Sequence, residues 1–468
     1  MSGFMRASSV LLAHEGRVFL VARSPMLRFM GGFVAFPGGK VDADDDALAT
    51  GGLTGQHVCA ARELFEETGV LLGAPAGDWS HLRRDLIEGR LAFPEVLARA
   101  GAFLDPSLLA PAGRLVTPPF NPARFDTLFF VAQLPEGQAA EVWPGELSEG
   151  RWLAVADALA AWDRGELPLS PPTVSILETV RGLDPGEWGA RMASALDEAA
   201  EHPPIWFVPG VRMIPTDCQG IPPTRWTNSF LVGTGPRWLV DPGPVDAAQQ
   251  DVLLAAAGGR VDGIILTHGH PDHIGAALRC RESLGAPLLA HREARLPFAV
   301  DRPIEDGEAI DLGDAPHGRG RWSMRAVLTP GHAPGHLAFW QPEYGWLLAA
   351  DLVSPLSSMV ILPEDGDLGL YIESLKKARE LPIKLLLPAH GPPTMRTHHL
   401  IDETLKHRAM REEQLLAALA AGLRTVPEIA RELYRGSPPE TMRLAESQVE
   451  SGLRKLRREN RLPVGSIE

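Results

Sequence analysis

The segment Thr267-His-Gly-His-Pro-Asp-His-Ile-Gly constrains this 468-residue chain more than any other feature. It follows the apolar run DGIIL and places His268, His270, Asp272 and His273 within six positions. On a tight loop these side chains can converge, but not all on one ion. Imidazole nitrogen suits zinc, and the carboxylate among them suits a second, harder position. Two further histidines close apolar stretches, His332 in LTPGHAPGHLAF and His390 in LLLPAHG, and Asp351 follows WLLAA. An acid at the end of a buried strand is costly unless it is paired or metal-bound. Surface or capping residues do not ordinarily produce such an ordered set. His336 reads as a group supporting a ligand. His291, His317, His398 and His399 read as ordinary polar residues.

A second constellation lies near the N-terminus, where Phe36-Pro-Gly-Gly precedes Arg62-Glu-Leu-Phe-Glu-Glu-Thr-Gly-Val70. Residues 56–68 have helical periodicity and stop at Gly69, a residue suited to a C-cap. On such a helix Glu63, Glu66 and Glu67 share one face. Like charges gathered there repel, and an oxygen-loving divalent cation such as Mg²⁺ turns the repulsion into binding. Arg62 can pair with a neighbouring carboxylate and fix its rotamer.

The rest of the chain fits an α/β multidomain protein, with a length prior of about three domains. Residues 8–23 read as a β-hairpin, 80–103 as helical, 125–134 as an apolar strand, and 173–182 as one last helix before a boundary at 183–204. Beyond it, WTNSFLVG, RWLVDPG, DGIILTHG, APLLAHR, WLLAADLV and IKLLLPAHG are short strands with chemistry at their ends. Strand signals fade near residue 397 and three helices follow. The expected domains are therefore 1–190, 205–395 and 396–468. A net charge of −14 argues against bulk nucleic-acid binding. Cys59, Cys218 and Cys280 form no CxxC pair, which disfavours a disulfide framework or a thiolate zinc site. The first residues read as strand, turn and strand and not as a signal peptide, and no apolar run spans a bilayer, so a cytoplasmic protein is expected.

Two resemblances follow from these motifs. His268, His270, Asp272 and His273 match the HxHxDH motif of the metallo-β-lactamase superfamily in full, and the resemblance covers roughly 205–395. It implies an αββα sandwich in which His268, His270 and His332 hold one metal. Asp272, His273 and His390 hold the other, and Asp351 bridges both. The metals implied are two Zn²⁺, with Fe or Mn as alternatives. Asp241, in LVDPG, matches the structural aspartate that props the ligand loop, and Thr227-Asn228 sits where the family's sheet begins. A hydroxide shared by the metals would attack a carbonyl or phosphorus, with Asp272 helping to orient it. The TPGHAPGH stretch and the helical, winged-helix-like tail look like the β-lactamase-like-protein-2 subfamily, some members of which cleave single-stranded RNA. The basic run Arg454-Lys455, Arg457-Arg458 and Arg461 reads as a solvated helix face or as a phosphate contact.

Residues 62–70 match the REUXEEXGU half of the Nudix box. Its first half departs. Asp45 stands at best where a Glu is expected, and about nine extra residues, including Gly51, Gly52 and Gly55, precede Arg62. Residues 23–39 resemble a segment of coenzyme A-hydrolysing Nudix proteins, while ARFDTLFFVAQLP and ELSEGRW resemble peroxisomal relatives that also carry a box insertion. This implies Mg²⁺ or Mn²⁺ on Glu63, Glu66 and Glu67, and a nucleoside-diphosphate substrate with coenzyme A or acyl-CoA favoured. Glu146 or Glu149 would add a ligand or base. Three functions follow as expectations. They are a bifunctional metal-dependent hydrolase of small molecules, an RNA-processing protein with endoribonuclease activity in its second half, and a metallohydrolase whose Nudix half only binds. RNA is not the favoured partner.

Overall fold

The computed structural model describes residues 4–198, 204–220 and 223–462. The chain forms two compact units, one up to Pro209 and one from Gly210 on.

Alternation along the central strands builds the first unit. In the strand Met5–His14, Val10 and Leu12 enter one core while Leu11 and Ala13 enter the other. Side chains of a strand point alternately to opposite faces, so a strand apolar on both sides is covered on both. Met5–His14 runs parallel to Phe125–Gln133 and antiparallel to Arg17–Arg23. The hairpin turn uses Glu15 and Gly16 at φ 47° and 74°, the left-handed pair that matches strand twist. The sheet runs Val34–Ala35, Arg17–Arg23, Met5–His14, Phe125–Gln133, Ala110–Val116. Gly38–Lys40 pairs with Met5–His14, and Leu147–Ala154 with Arg17–Arg23.

The helix Gly55–Thr68 covers one face through Val58, Leu64 and Phe65, and ends at Gly69 with φ 76°. Val155–Asp163, Pro171–Thr179 and Pro185–Glu198 cover the other through Leu159, Leu177 and Trp188.

Two expectations change here. The helical stretch 80–103 is two helices, Ser80–Ile87 and Phe93–Ala100, interrupted at Gly89 with φ 69°. The segment expected as a boundary contains the helix Pro185–Glu198, whose Trp188 and Met192 are fully buried. Proline and acids favour the first turn of a helix as well as linkers, so the composition misleads. The Asp184 amide donates to the Glu187 carboxylate and caps that turn.

The second unit is built on two sheets. One runs in the order Arg302–Pro303, Leu288–Ala290, Gly263–Ile265, Trp238–Val240, Trp226–Val232, Val211–Asp217. The other runs Ala309–Asp314, Arg321–Leu328, Leu337–Gln341, Trp346–Ala350, Leu385–Pro388. Asn228 joins them, because its amide nitrogen donates to Pro388 O at 2.9 Å and Gly391 O at 2.8 Å. Leu337 N donates to Thr267 O at 3.0 Å. The ends of strands from both sheets therefore meet around one place.

Beyond them, the helices Thr397–Ala420, Val426–Leu433 and Met442–Arg458 enclose Leu419, Ile429, Leu453 and Leu456. Among the described residues no strand follows Pro388. No helix of the described residues is long and apolar enough to cross a membrane.

Candidate metal centres

All seven residues of the His/Asp set come together in the second unit, in two groups. His268, His270, His332 and Asp351 offer ligand atoms within 4.8 Å of one another, and so do Asp272, His273 and His390. His270 Nδ1 lies 3.1 Å from His268 Nε2 and 2.9 Å from His332 Nε2. Asp351 stands between the groups. Its Oδ2 is 3.2 Å from His332 Nε2, while Oδ1 is 3.3 Å from His390 Nε2 and 3.5 Å from His273 Nε2. Each residue arrives from the end of a strand. The loop carrying His268 to His273 follows Gly263–Ile265, His332 follows Arg321–Leu328, Asp351 follows Trp346–Ala350, and His390 follows Leu385–Pro388.

The outer nitrogens of these imidazoles are occupied, which leaves the inner ones for a cation. His273 Nδ1 donates to Asp241 at 2.9 Å, His332 Nδ1 to Val360 O at 3.0 Å, and His390 Nδ1 to Trp226 O at 2.9 Å. His270 is reversed. Its Nδ1 faces inward and its Nε2 lies 3.2 Å from Asp365 Oδ2. Asp241 also accepts from Thr267 N at 2.8 Å and from the Thr267 hydroxyl at 2.7 Å, so one carboxylate props the whole loop. His336 accepts the Asp351 amide on Nε2 at 3.1 Å and therefore carries its proton on Nδ1, toward Thr329 Oγ1 at 2.8 Å. Thr227 donates to Asp272 at 3.3 Å.

The electrostatics ask for positive charge. Burial opposes ionisation of Asp351, yet facing His390 and His273 hold its carboxyl well below the ordinary range. Burial also opposes protonation of His273, but Asp272, Asp351 and Asp241 raise it well above its usual value. His268 goes the other way, lowered by burial and by His273 and His332. His273 Nε2 and Asp351 Oδ1 are buried without a hydrogen-bond partner, and buried polar atoms in that state are rare. A donor set of imidazoles and carboxylates around such orphaned atoms fits divalent cations.

In the first unit the acids are organised by Arg62. Its Nε and Nη2 form a two-pronged pair with Asp45, both at 2.9 Å, and Asp45 is only 1% exposed. Its Nη1 reaches Glu63 at 3.0 Å and Glu66 at 3.1 Å, and Nη2 also reaches Lys40 O at 2.9 Å. Asp45 is thus the acid that locks Arg62, despite the insertion. The short helix Ala43–Ala47 presents it, and the extra residues loop out beyond. Glu67 turns away and accepts from Gly38 N at 2.8 Å. At Gly38 of FPGG backbone contact excludes a side chain, and at Gly39 a side chain would displace the Glu63 carboxylate. A Cβ at Gly38 would stand 2.2 Å from Ser8 O, and one at Gly39 would stand 2.3 Å from the Glu63 carboxylate. The three glutamates do not form the tight cluster seen in the second unit. Both further acids are paired with an arginine, Glu146 with Arg23 at 2.8 Å and Glu149 with Arg151, and the charge of Glu146 bears on both Glu63 and Glu67.

Burial raises the Glu63 carboxyl to about 7 even with Arg62 beside it, and raises Glu67 well above the ordinary range. A carboxyl raised in the fold contributes stability that is fully present below its unfolded value and is lost as pH rises through its folded one. Metal-free protein is therefore expected to lose stability between about pH 4.5 and 7 through Glu63, by a few kcal/mol at most. Thermal melts across this range should show Glu63→Gln lacking that component, and Mg²⁺ should restore the parent. An identical pH profile for the variant would count against the burden placed on Glu63.

The metallo-beta-lactamase superfamily profile matches residues 224–390, and the NUDIX domain profile matches residues 4–171. The chain belongs to the metallo-beta-lactamase superfamily through its second unit and carries a NUDIX domain in its first. Both are hydrolase families, so the protein is a metal-dependent hydrolase. It is similar to the lactamase-like protein adaB of Aspergillus niger, 33% identical over 234 residues, 46% of this chain and 69% of that one. The beta-lactamase-like protein 2 homolog of Caenorhabditis elegans is 26% identical over 239 residues, 49% of this chain and 78% of that one. A NUDIX hydrolase structure from Alicyclobacillus acidocaldarius is 29% identical, covers 43% of this chain and all of its own, and gives a TM-score of 0.35.

Proposed function

We propose that the protein is a bifunctional hydrolase of coenzyme A-type small molecules. The first unit cleaves a nucleoside-diphosphate linkage. The residues from 205 to 395 cleave a thioester or related ester-like bond, and a separate helical part follows. The observation that carries the second activity is Asp351, whose two oxygens are divided between the two donor groups. Two divalent cations held by His268, His270, His332 and Asp351 and by Asp272, His273 and His390 would supply Lewis acidity and an activated water. The chain's own residues do the rest. Asp272, with 28% of its side chain exposed, is the most open member of the set and so faces arriving water and substrate. His273 and His390 are held in one tautomer by Asp241 and Trp226 O, so their inner nitrogens need no reorganisation.

In the first unit, Glu63 and Glu66 retain 16% and 25% exposure and present negative charge for cations that neutralise a diphosphate. Arg62 fixes their rotamers, and Glu146, whose charge is felt at Glu63 and which Arg23 holds, is the candidate for the further acid.

The basic run adds little to the RNA-processing reading, which rests on the resemblance to β-lactamase-like protein 2. Lys455 and Arg461 contact Glu412 and Glu459, Arg454 contacts Glu450, and Arg458 contacts Asp367. Their charge is already compensated within the fold.

A mass-spectrometric product screen tests the assignment. Full-length protein with Mg²⁺ and Zn²⁺ would meet acyl-CoA, free CoA, ADP-ribose and a single-stranded RNA oligomer. Phosphopantetheine and 3′,5′-ADP, lost only in Glu66→Gln, are expected from the first unit. Free CoA from acyl-CoA, lost only in His270→Ala, is expected from the second. RNA fragments lost only in His270→Ala, with the CoA compounds intact, would overturn the substrate class.

A further inference from the structure

Two of the imidazoles, His270 and His332, are held from one short segment. Val360 O takes the His332 Nδ1 proton, and Asp365 faces His270 Nε2. Because His270 must keep the Nδ1 lone pair free to join His268 and His332, its proton sits on Nε2 and is donated to Asp365. The other carboxylate oxygen, Asp365 Oδ1, is buried and has no partner, so the His270 contact is what engages this side chain.

The segment from Met359 to Asp367 contains no helix or strand of its own. It turns through Gly366 N to Leu362 O at 2.7 Å and is tied to Gly331 O through Asp367 N at 2.7 Å. Arg295 donates to Glu364 O at 3.2 Å, and most of the other polar contacts come from the C-terminal helices. Arg408, from Thr397–Ala420, donates to Met359 O. From Met442–Arg458, Ser451 donates to Ile361 O at 2.7 Å, Gln448 donates to Ile361 O at 3.0 Å, and Arg454 donates to Pro363 O. Arg458 pairs with Asp367, whose carboxylate also caps the helix Leu368–Arg379. Five side chains of two helices thus grip main chain or caps on either side of Val360 and Asp365.

We infer that Asp365 is the positioning residue for His270, and that the helix Met442–Arg458 is a strut setting zinc affinity at the His268, His270 and His332 centre. This rests on the ligand assignment above. Arg454 and Arg458 of the basic run form part of the strut's grip. A loose segment would let the two imidazoles rotate, and the cation would lose donors whose geometry must hold within a few tenths of an ångström.

The test is zinc competition against a chromophoric chelator, with the full-length metal-free protein and Zn²⁺ alone as probe. His270→Ala and His390→Ala assign the two binding constants to their centres. Asp365→Asn is expected to weaken the constant that His270→Ala abolishes by about 10- to 100-fold, leaving the other unchanged. The double variant Arg454→Gln/Arg458→Gln should shift that same constant in the same direction by several-fold, with the far-ultraviolet dichroism of the parent. Asp365→Asn within about twofold of the parent, or an equal shift of both constants, overturns the positioning role. An unmoved constant in the arginine variant overturns the strut. If His270→Ala keeps both constants of the parent, the ligand assignment itself has failed.

Discussion

Asp351→Asn is expected to leave the second unit folded and remove its hydrolytic activity. One oxygen of Asp351 faces His332 and the other faces His273 and His390. An amide offers one neutral acceptor where a bridging anion is needed. Its nitrogen would also point donors at imidazoles whose inner nitrogens must accept a cation. The loss of transition-state stabilisation should amount to several kcal/mol, on the order of 10³-fold in rate. Metal analysis after dialysis should show zinc falling below the parent's content. The backbone at this position is held independently, since the Asp351 amide donates to His336 Nε2 at 3.1 Å. Circular dichroism should therefore match the parent. Two retained metals together with a rate within about tenfold of the parent would deny the bridge.

Arg62→Ala is the change expected to unfold the first unit most readily. Arg62 is 8% exposed and serves Asp45, Glu63 and Glu66 at once. Removing it strands Asp45, at 1% exposure, and lets three carboxylates face one another. Breaking a buried pair by deleting one partner costs about 3–5 kcal/mol, which in a unit of this size is roughly 10 °C in melting temperature. Replacing both members, as Arg62→Met with Asp45→Leu, removes the stranded charge and should recover most of that loss. Diphosphatase activity should stay lost in the double variant, because Glu63 and Glu66 no longer have their fixed counter-charge. Calorimetry and a product assay on the same samples separate the two effects. Arg62→Ala melting within about 2 °C of the parent would show that the pair bears little load.

What the sequence reveals here depends on whether a role has a residue pattern. The seven His and Asp positions are legible because imidazoles at strand ends have few other uses in such order. The helix Gly55–Thr68 of the first unit is legible because its apolar residues recur at helical spacing and Gly69 ends it. Asp365 is hidden because it stands in Glu364-Asp-Gly-Asp367, where either aspartate reads as a helix cap. Asp367 is the cap, and Asp365 turns to His270. The role of Asp45 is hidden by spacing, since a count from Gly39 to Arg62 does not reveal that a short helix brings the acid back. The basic run of Met442–Arg458 is a third case, since its arginines lie on an exposed face yet Arg454 and Arg458 also reach residues elsewhere in the chain. Sequence displays the charges but not the carboxylates and carbonyls that meet them from residues far away in the chain.

The loop between Asp45 and Arg62 also matters for anyone who would alter this protein. The contact that must survive there is a charge pair, and it is indifferent to the length of chain in between. Gly51 and Gly52 are exposed at φ 61° and 92°, with open space around the first and only the edge of Pro106 near the second. Engineered length can be added at this point, for a fluorophore-bearing peptide or an affinity handle, while the acids that Arg62 gathers remain in register.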